Sequence, residues 1–274
     1  MTATTINGAS LDYTDAGDGP TLVWGHGLTT SRAGEDLGNY FDWPRQLERI
    51  RVVRYDARGH GKSGAAGGPE AYTWKSLGHD MVALAESLSL SGYVAGGMSM
   101  GCSSALYAGL EAPDDIAALV LATPPTAWES RVAQASVYVT LAEVVRTQGS
   151  AVFADLMAEQ GQAMMPPFLL ERYNELAKTM AGQLAAMDSE ALANVLTGAS
   201  LANLPDRNVI KAIELPTLIL AWEGDKAHPL STAETLAELI PDSRLIVAKS
   251  LDDLASWPDT IAGFVEQHGA VAKG

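Results

Sequence analysis

The sequence predicts an α/β protein: a mostly parallel sheet covered by helices on both faces, with a helical cap inserted into it. Two observations carry this. Short continuous apolar runs alternate with helix-period segments near both ends of the chain, the pattern of parallel strands buried on two sides. Between them lies a stretch without strand runs, rich in Ala, Met, Leu and Glu and bounded by Pro124-Pro125 and Leu204-Pro205-Asp206. The expected organisation is a first core part over 1–123, a cap over 124–205 and a second core part over 206–274.

The elements follow in order. Ile6–Asp15 alternates around Asn7-Gly8, a turn pair that tolerates positive φ, and reads as an edge hairpin. Thr21–Trp24, Arg51–Tyr55, Gly92–Ala95 and Ala118–Ala122 read as strands, each closed by Gly or Pro punctuation. Met81, Leu84, Ala85 and Leu88 recur at i, i+3, i+4 and i+7, one face of a helix. Within the insert, Ala151–Ala163, Leu169–Ala181 and Gln183–Leu196 read as helices. Thr217–Ala221 and Arg244–Ala248 are the last strands. Ser231-Thr-Ala-Glu234 has capping-box spacing at the start of a helix, and Trp257–His268 is the final helix.

Composition narrows the function classes. With 33 acidic and 18 basic residues among 274, the net charge of −15 repels nucleic acid and anionic membranes. The single cysteine, Cys102, leaves no internal disulfide, and no Cys/His spacing suits a metal. No secretory n-region opens the chain, and no apolar run approaches a membrane span. The expectation is a cytoplasmic globular protein that binds neither nucleic acid nor membrane. Homo-oligomerisation is left open.

Gly97-Met-Ser99-Met-Gly101 follows a strand and opens a run of small residues suited to a helix packed close on the sheet. A sharp strand-to-helix turn with a strained serine needs glycine on both sides, and it presents the hydroxyl at the sheet edge. The competing reading of the same glycines is a phosphate-binding turn or a plain loop. Ser99 is therefore the candidate nucleophile. Cys102, inside the following helix, reads as a buried structural thiol. Gly25-His26-Gly27-Leu28 fits the other half of an oxyanion hole, with the backbone N–H groups of Leu28 and Met100 as donors. His26 itself is assigned to shaping the loop.

Together these residues resemble the α/β-hydrolase family. The resemblance spans the chain: the hairpin through Gly19-Pro20, the His26-Gly27 turn, Tyr55-Asp-Ala-Arg-Gly-His-Gly-Lys-Ser-Gly64, the Gly97–Gly101 elbow, and Gly224-Asp225-Lys-Ala-His228-Pro229 after a late strand. It implies a doubly wound sheet of about eight strands, a serine nucleophile at Ser99, an acid at Asp225, a helical cap over the pocket and no cofactor. The Asp56–Gly64 loop is a family marker, in which Arg58 and His60 fix the loop.

The family's general base usually sits on the loop after the last strand, and here Lys249-Ser-Leu-Asp-Asp-Leu254 holds no histidine. A serine hydroxyl needs a base near neutrality. Of the five histidines, His26 and His60 belong to turns with other roles, His79 starts the wrong part of the sheet, and His268 is close to the C-terminus. His228, three residues after Asp225, is left as the candidate base. Asp252 or Asp253 is expected to orient it in place of, or together with, Asp225. The opposing reading makes His228 a loop residue in a chain that has lost efficient hydrolysis.

Met157, Met164, Met165, Met180 and Met187 fall in the cap with Phe153, Phe168 and Trp128. Most are assigned to packing; any that face the pocket make the substrate apolar. Arg131, Arg146 and Arg172 are read as scattered and solvated. The leading function is a serine hydrolase for a small, largely apolar ester, lactone or thioester, acting through an acyl-enzyme on Ser99. A cofactor-free perhydrolase, a C–C bond hydrolase and a non-catalytic ligand-binding member are the alternatives.

Overall fold

The computed structural model describes residues 2–161 and 165–271. One eight-stranded sheet forms the centre, in the order β1-β2-β4-β3-β5-β6-β7-β8. β1 (Thr2–Ile6) and β2 (Ala9–Ala16) form the hairpin, turning through Asn7 and Gly8 at φ 47° and 80°. β2 joins β4 antiparallel; every later pairing is parallel. The parallel strands are β3 (Thr21–Gly25), β4 (Arg51–Tyr55), β5 (Tyr93–Met98), β6 (Ile116–Ala122), β7 (Thr217–Trp222) and β8 (Ser243–Ala248).

Strand side chains alternate between two cores, as a period of two requires. Val23, Val53, Ala95, Leu121 and Ile219 face one cluster, whose helical wall is α3 (Trp74–Ser87), α4 (Met100–Glu111) and α10 (Leu230–Leu239). Leu22, Trp24, Val94, Val120 and Leu220 face the other, walled by α2 (Trp43–Leu47) and α12 (Trp257–His268). The helix face of Met81, Leu84 and Ala85 is buried in the first cluster, and Leu88 caps α3. Helices on both faces make the sheet doubly wound. Among the described residues no helix is long and apolar enough to cross a membrane.

Between β6 and β7 the chain leaves the sheet. α5 (Arg131–Gln148), α6 (Ser150–Gln160), α7 (Leu170–Ala185) and α8 (Ser189–Leu201) build the insert, around a small core of Val145, Phe153, Leu192 and Leu196, and the short α9 (Arg207–Ile210) precedes β7. Its helices start and stop away from the positions that periodicity suggests. Gly149, at φ 87°, breaks α5 from α6, and the Asp188 side chain caps α8 by accepting the Ala191 N–H at 2.9 Å. Ala-rich helical sequence has no internal punctuation, so a single cap residue sets each boundary. The end of the expected 151–163 helix, and Met164, lie outside the described residues.

The capping box at Ser231 does not form. α10 begins one residue earlier, at Leu230 after Pro229, with no side-chain cap. Ser231 is thus already helical, where its hydroxyl does not act as the N-cap acceptor.

Candidate active site

The site gathers at the carboxyl edge of β3, β5, β6 and β7, where an open parallel sheet leaves a crevice for ligands. Ser99 stands between β5 and α4 at φ 55°, ψ −107°, a conformation that costs a non-glycine residue about 1–3 kcal/mol. Its neighbours hold it there. The Ser99 N–H donates to the Ala122 carbonyl at 2.9 Å and the Gly101 N–H to the His26 carbonyl at 3.0 Å. The close approach leaves no room for side chains: a Cβ on Gly97 would lie 2.6 Å from the Gly25 carbonyl oxygen, and one on Gly101 would meet the Gly25 backbone. The glycines of the motif exist for this contact between turns.

The Ser99 Oγ lies 2.7 Å from His228 Nε2, and His228 Nδ1 lies 2.7 Å from Asp225 Oδ2. A carboxylate can only accept, so in the neutral ring Nδ1 carries the proton toward Asp225 and Nε2 accepts the serine hydroxyl. The acid and the imidazole share one turn. Asp225 Oδ1 accepts the N–H groups of Ala227 at 2.8 Å and His228 at 3.1 Å, folding the loop back over its own carboxylate. The Trp222 indole N–H, at the end of β7, donates to Oδ2 at 2.9 Å. Burial pushes the Asp225 carboxyl up, but the His228 ring with its N–H, the indole and the Ala227 amide outweigh it and hold the group below its ordinary value. It therefore stays ionised behind the ring.

Asp252 and Asp253 are placed elsewhere. Both are exposed, in the first turn of α11 (Leu251–Ala255). Asp253 Oδ2 accepts the Lys249 N–H and the Ser250 hydroxyl, each at 2.9 Å. The carboxylate that the structure sets on His228 is that of Asp225.

Leu28 follows the β3 turn and Met100 is the first residue of α4. Neither N–H has a hydrogen-bond partner among the described residues, as helix geometry dictates for Met100. Gly27 packs close to the serine, since a Cβ there would sit 3.7 Å from the Ser99 Cβ. The imidazole of His26 locks this loop, with Nδ1–H to the Gly27 carbonyl at 2.7 Å and Nε2 accepting the Ala57 N–H at 2.9 Å. His60 donates to the Arg58 carbonyl at 2.9 Å and accepts the Thr29 N–H at 3.4 Å. Burial lowers both rings, His60 to about 3 with His26 adding to the effect, so both are neutral struts. Arg58 clamps Asp80 at 2.7 and 2.8 Å and the Ala66 carbonyl at 3.1 Å. His79 pairs with Glu111 at 3.1 Å on the surface, and His268 lies against Phe264. Cys102 is fully buried, which pushes its thiol up and out of reach of ionisation.

The insert reaches the loop of Asp225 and His228 from two sides. The Thr126 N–H donates to the Ala227 carbonyl at 3.0 Å, and Pro167 packs on Gly224. Beside Leu28, a cavity of about 160 Å³ is lined by Met157, Tyr173, Met180 and Leu184. Met187 and Met165 pack against hydrophobic clusters, as Met157 and Leu184 also do. Two arginines depart from the solvated reading. Arg131 is only 3% exposed, its guanidinium donating to the carbonyls of Ala199 and Ala202 and to Thr126 Oγ1, where it caps the C-terminal end of α8. Arg172 is half-buried against Tyr40. Trp222 and Tyr40 were invisible to motif reading; the indole ends an apolar strand run three residues before Asp225, the only signal it leaves. Among the described residues no cluster of His, Cys, Asp and Glu is placed to hold a metal ion.

A hydroxyl, an imidazole and a buried carboxylate in series, beside two unpaired amides, can move a proton off the hydroxyl and receive negative charge on a neighbouring oxygen. Known proteins share the architecture. The chain is 26% identical over 252 residues to 3-oxoadipate enol-lactonase 2 of Acinetobacter baylyi, covering 90% of this chain and 87% of that one. It is 26% identical over 268 residues to a bifunctional esterase/perhydrolase of Acinetobacter calcoaceticus, covering 89% of each. Among solved structures, the enol-lactonase of Burkholderia xenovorans superposes with a TM-score of 0.81 at 23% identity, covering 96% of this chain and 99% of that one. A hydrolase of Pseudomonas aeruginosa gives 0.79 at 28% identity, covering 97% of each. The model of the alpha/beta hydrolase fold matches residues 20–257. The chain belongs to the α/β-hydrolase family.

Proposed function

We propose that this α/β-hydrolase is a carboxylic ester hydrolase that opens small esters or lactones through an acyl-enzyme on Ser99. The observation that carries the reading is the 2.7 Å contact between Ser99 Oγ and His228 Nε2, with Asp225 at 2.7 Å behind the ring. Ser99 attacks the carbonyl carbon as its proton passes to Nε2. The carbonyl oxygen becomes an oxyanion held by the N–H groups of Leu28 and Met100, each such donor contributing about 10²–10³ in rate. Collapse breaks the ester C–O bond, and His228 returns the proton to the departing alkoxide. Water then attacks the acyl-serine with the same ring as base, freeing the acid and restoring the hydroxyl. Asp225 keeps the ring in the productive tautomer and stabilises the imidazolium. The enol-lactonase and esterase relatives support this class of substrate, and the methionine-lined cavity beside Leu28 suits an apolar body.

The esterase/perhydrolase relative motivates a second reading, in which hydrogen peroxide replaces water in the second half-reaction and yields a peracid. Peroxide-dependent turnover of acetate tests it. For the hydrolase itself, a fluorophosphonate probe labels Ser99 and a panel of p-nitrophenyl esters is hydrolysed. Ser99→Ala abolishes the label and lowers kcat/KM at least about 10⁴-fold. Retained turnover in that variant overturns the proposal.

A further inference from the structure

Most arginines of this acidic chain lie within 4 Å of a carboxylate, Arg32, Arg51, Arg58 and Arg207 among them. Among the described residues Arg172, near the start of α7, is an exception. Its one hydrogen bond among the described residues runs from an Nη to the Asn39 carbonyl at a long 3.4 Å, leaving most of its five N–H donors without a partner. Its guanidinium carbon sits 5.5 Å from the Tyr40 ring centroid. Arg131, the other cap arginine without a carboxylate, is different: its donors are committed to carbonyls and a hydroxyl.

The surroundings of Arg172 lead straight to the site. Tyr40 makes no hydrogen bond through its hydroxyl among the described residues, and its ring meets Trp222 edge-on at 5.7 Å. Trp222 in turn holds Asp225 at 2.9 Å. On the other side, Tyr173, the next residue along α7, lines the 160 Å³ cavity beside Leu28. An apolar cavity near 150 Å³ has room for about a benzene ring. A half-buried cation and an unengaged phenol thus stand at the seam of insert and core, one helix position from Tyr173, which lines the apolar space bordering the proposed oxyanion donor. A planar guanidinium whose N–H groups are mostly unpaired among the described residues matches a carboxylate, and in a chain of net charge −15 a local cation favours the entry of an anion.

We propose that Arg172, assisted by the Tyr40 hydroxyl, binds a carboxylate carried by the substrate, so that the preferred ester or lactone has an apolar body and one anionic end. This rests on the hydrolase reading above, and the experiment separates the two. The kcat/KM for p-nitrophenyl hemiglutarate is compared with that for p-nitrophenyl valerate, an uncharged ester with the same five-carbon acyl chain. The wild type favours the hemiglutarate; Arg172→Gln lowers the ratio of the two constants about 10- to 100-fold through KM, Arg172→Lys recovers part of it, and Tyr40→Phe lowers it less. An unchanged ratio, with both substrates slowed alike, marks Arg172 as a seam contact and overturns the proposal. Glutarate binding to Ser99→Ala, followed by calorimetry, reads the subsite without turnover. Binding weakened by Arg172→Gln supports it; no binding overturns it, even where Ser99-dependent hydrolysis of the valerate ester stands.

Discussion

The loops after β7 and β8 leave neighbouring strands at the same edge of the sheet and treat their aspartates in opposite ways. Asp225 is 7% exposed and receives the backbone N–H groups of Ala227 and His228, the Trp222 indole and the His228 ring. Asp253 lies in the open and stitches the first turn of α11 through Lys249 and Ser250. Both carboxyls are held below their ordinary value, the first by donors that overcome its burial, the second by local amides and hydroxyls in water. The difference teaches what a buried acid needs before it can face an imidazole: donors enough to keep it charged when water is gone. Only the β7 loop supplies them, and it supplies the imidazole in the same turn.

The sharpest way to break this comparison is to remove the ring. His228→Ala is expected to lower kcat/KM for a p-nitrophenyl ester by about 10³–10⁴-fold, while His79→Ala, on the far surface, leaves it within about twofold. A wild-type rate in His228→Ala would falsify the assignment of the base. The acids follow. Asp225→Asn keeps the shape but lets an amide face Nδ1, favouring the wrong tautomer, and costs up to about 10⁴-fold in kcat. Asp253→Asn leaves kcat within about twofold. Equal losses in the two variants would mean that the β8 loop also serves the ring.

How much of this was legible beforehand depends on which forces place each group. The sheet was legible because β3, β5, β6 and β7 are continuous apolar runs with glycine or proline close behind, and burial on both faces demands that pattern. The elbow was legible because contact between the Gly25 and Gly97–Gly101 turns excludes every side chain. His228 was reached by elimination, and its local signal is Asp-x-x-His-Pro: an aspartate that captures the amides two and three residues on turns the following imidazole back over itself. The expectation for Asp252 and Asp253 rested on where such loops usually lead, and spacing carries no information on their reach across the sheet edge. The burial of Arg131 was hidden for a similar reason, since the carbonyls it caps lie about 70 residues away and belong to a helix whose boundary rests on Asp188.

Glu35, on α1 (Arg32–Gly38), sharpens the comparison from the other side, because it is a carboxyl with burial and few donors. Both its oxygens share one indole N–H, from Trp24 at 3.2 Å, and the nearest Arg54 nitrogen is at 3.5 Å. Burial pushes it from 4.5 up to about 7 against the pull of Arg54 and Trp24. Since the folded value lies above the unfolded one, the folded chain holds the extra proton between pH 4.5 and about 7. The stability tied to that proton is complete below the lower value and is lost as pH rises through the upper one. The shift corresponds to about 3 kcal/mol. Glu35→Gln keeps an acceptor for Trp24 and removes the titration, so urea unfolding of variant and wild type should diverge in the variant's favour between pH 5 and pH 8, by up to that amount. His26 and His60 are lowered and act in the opposite sense below pH 6.5, but equally in both proteins, so they cancel in the difference. A difference that is flat across this range would show that Arg54 alone keeps Glu35 charged, and that one long contact does for a buried acid what four short ones do for Asp225.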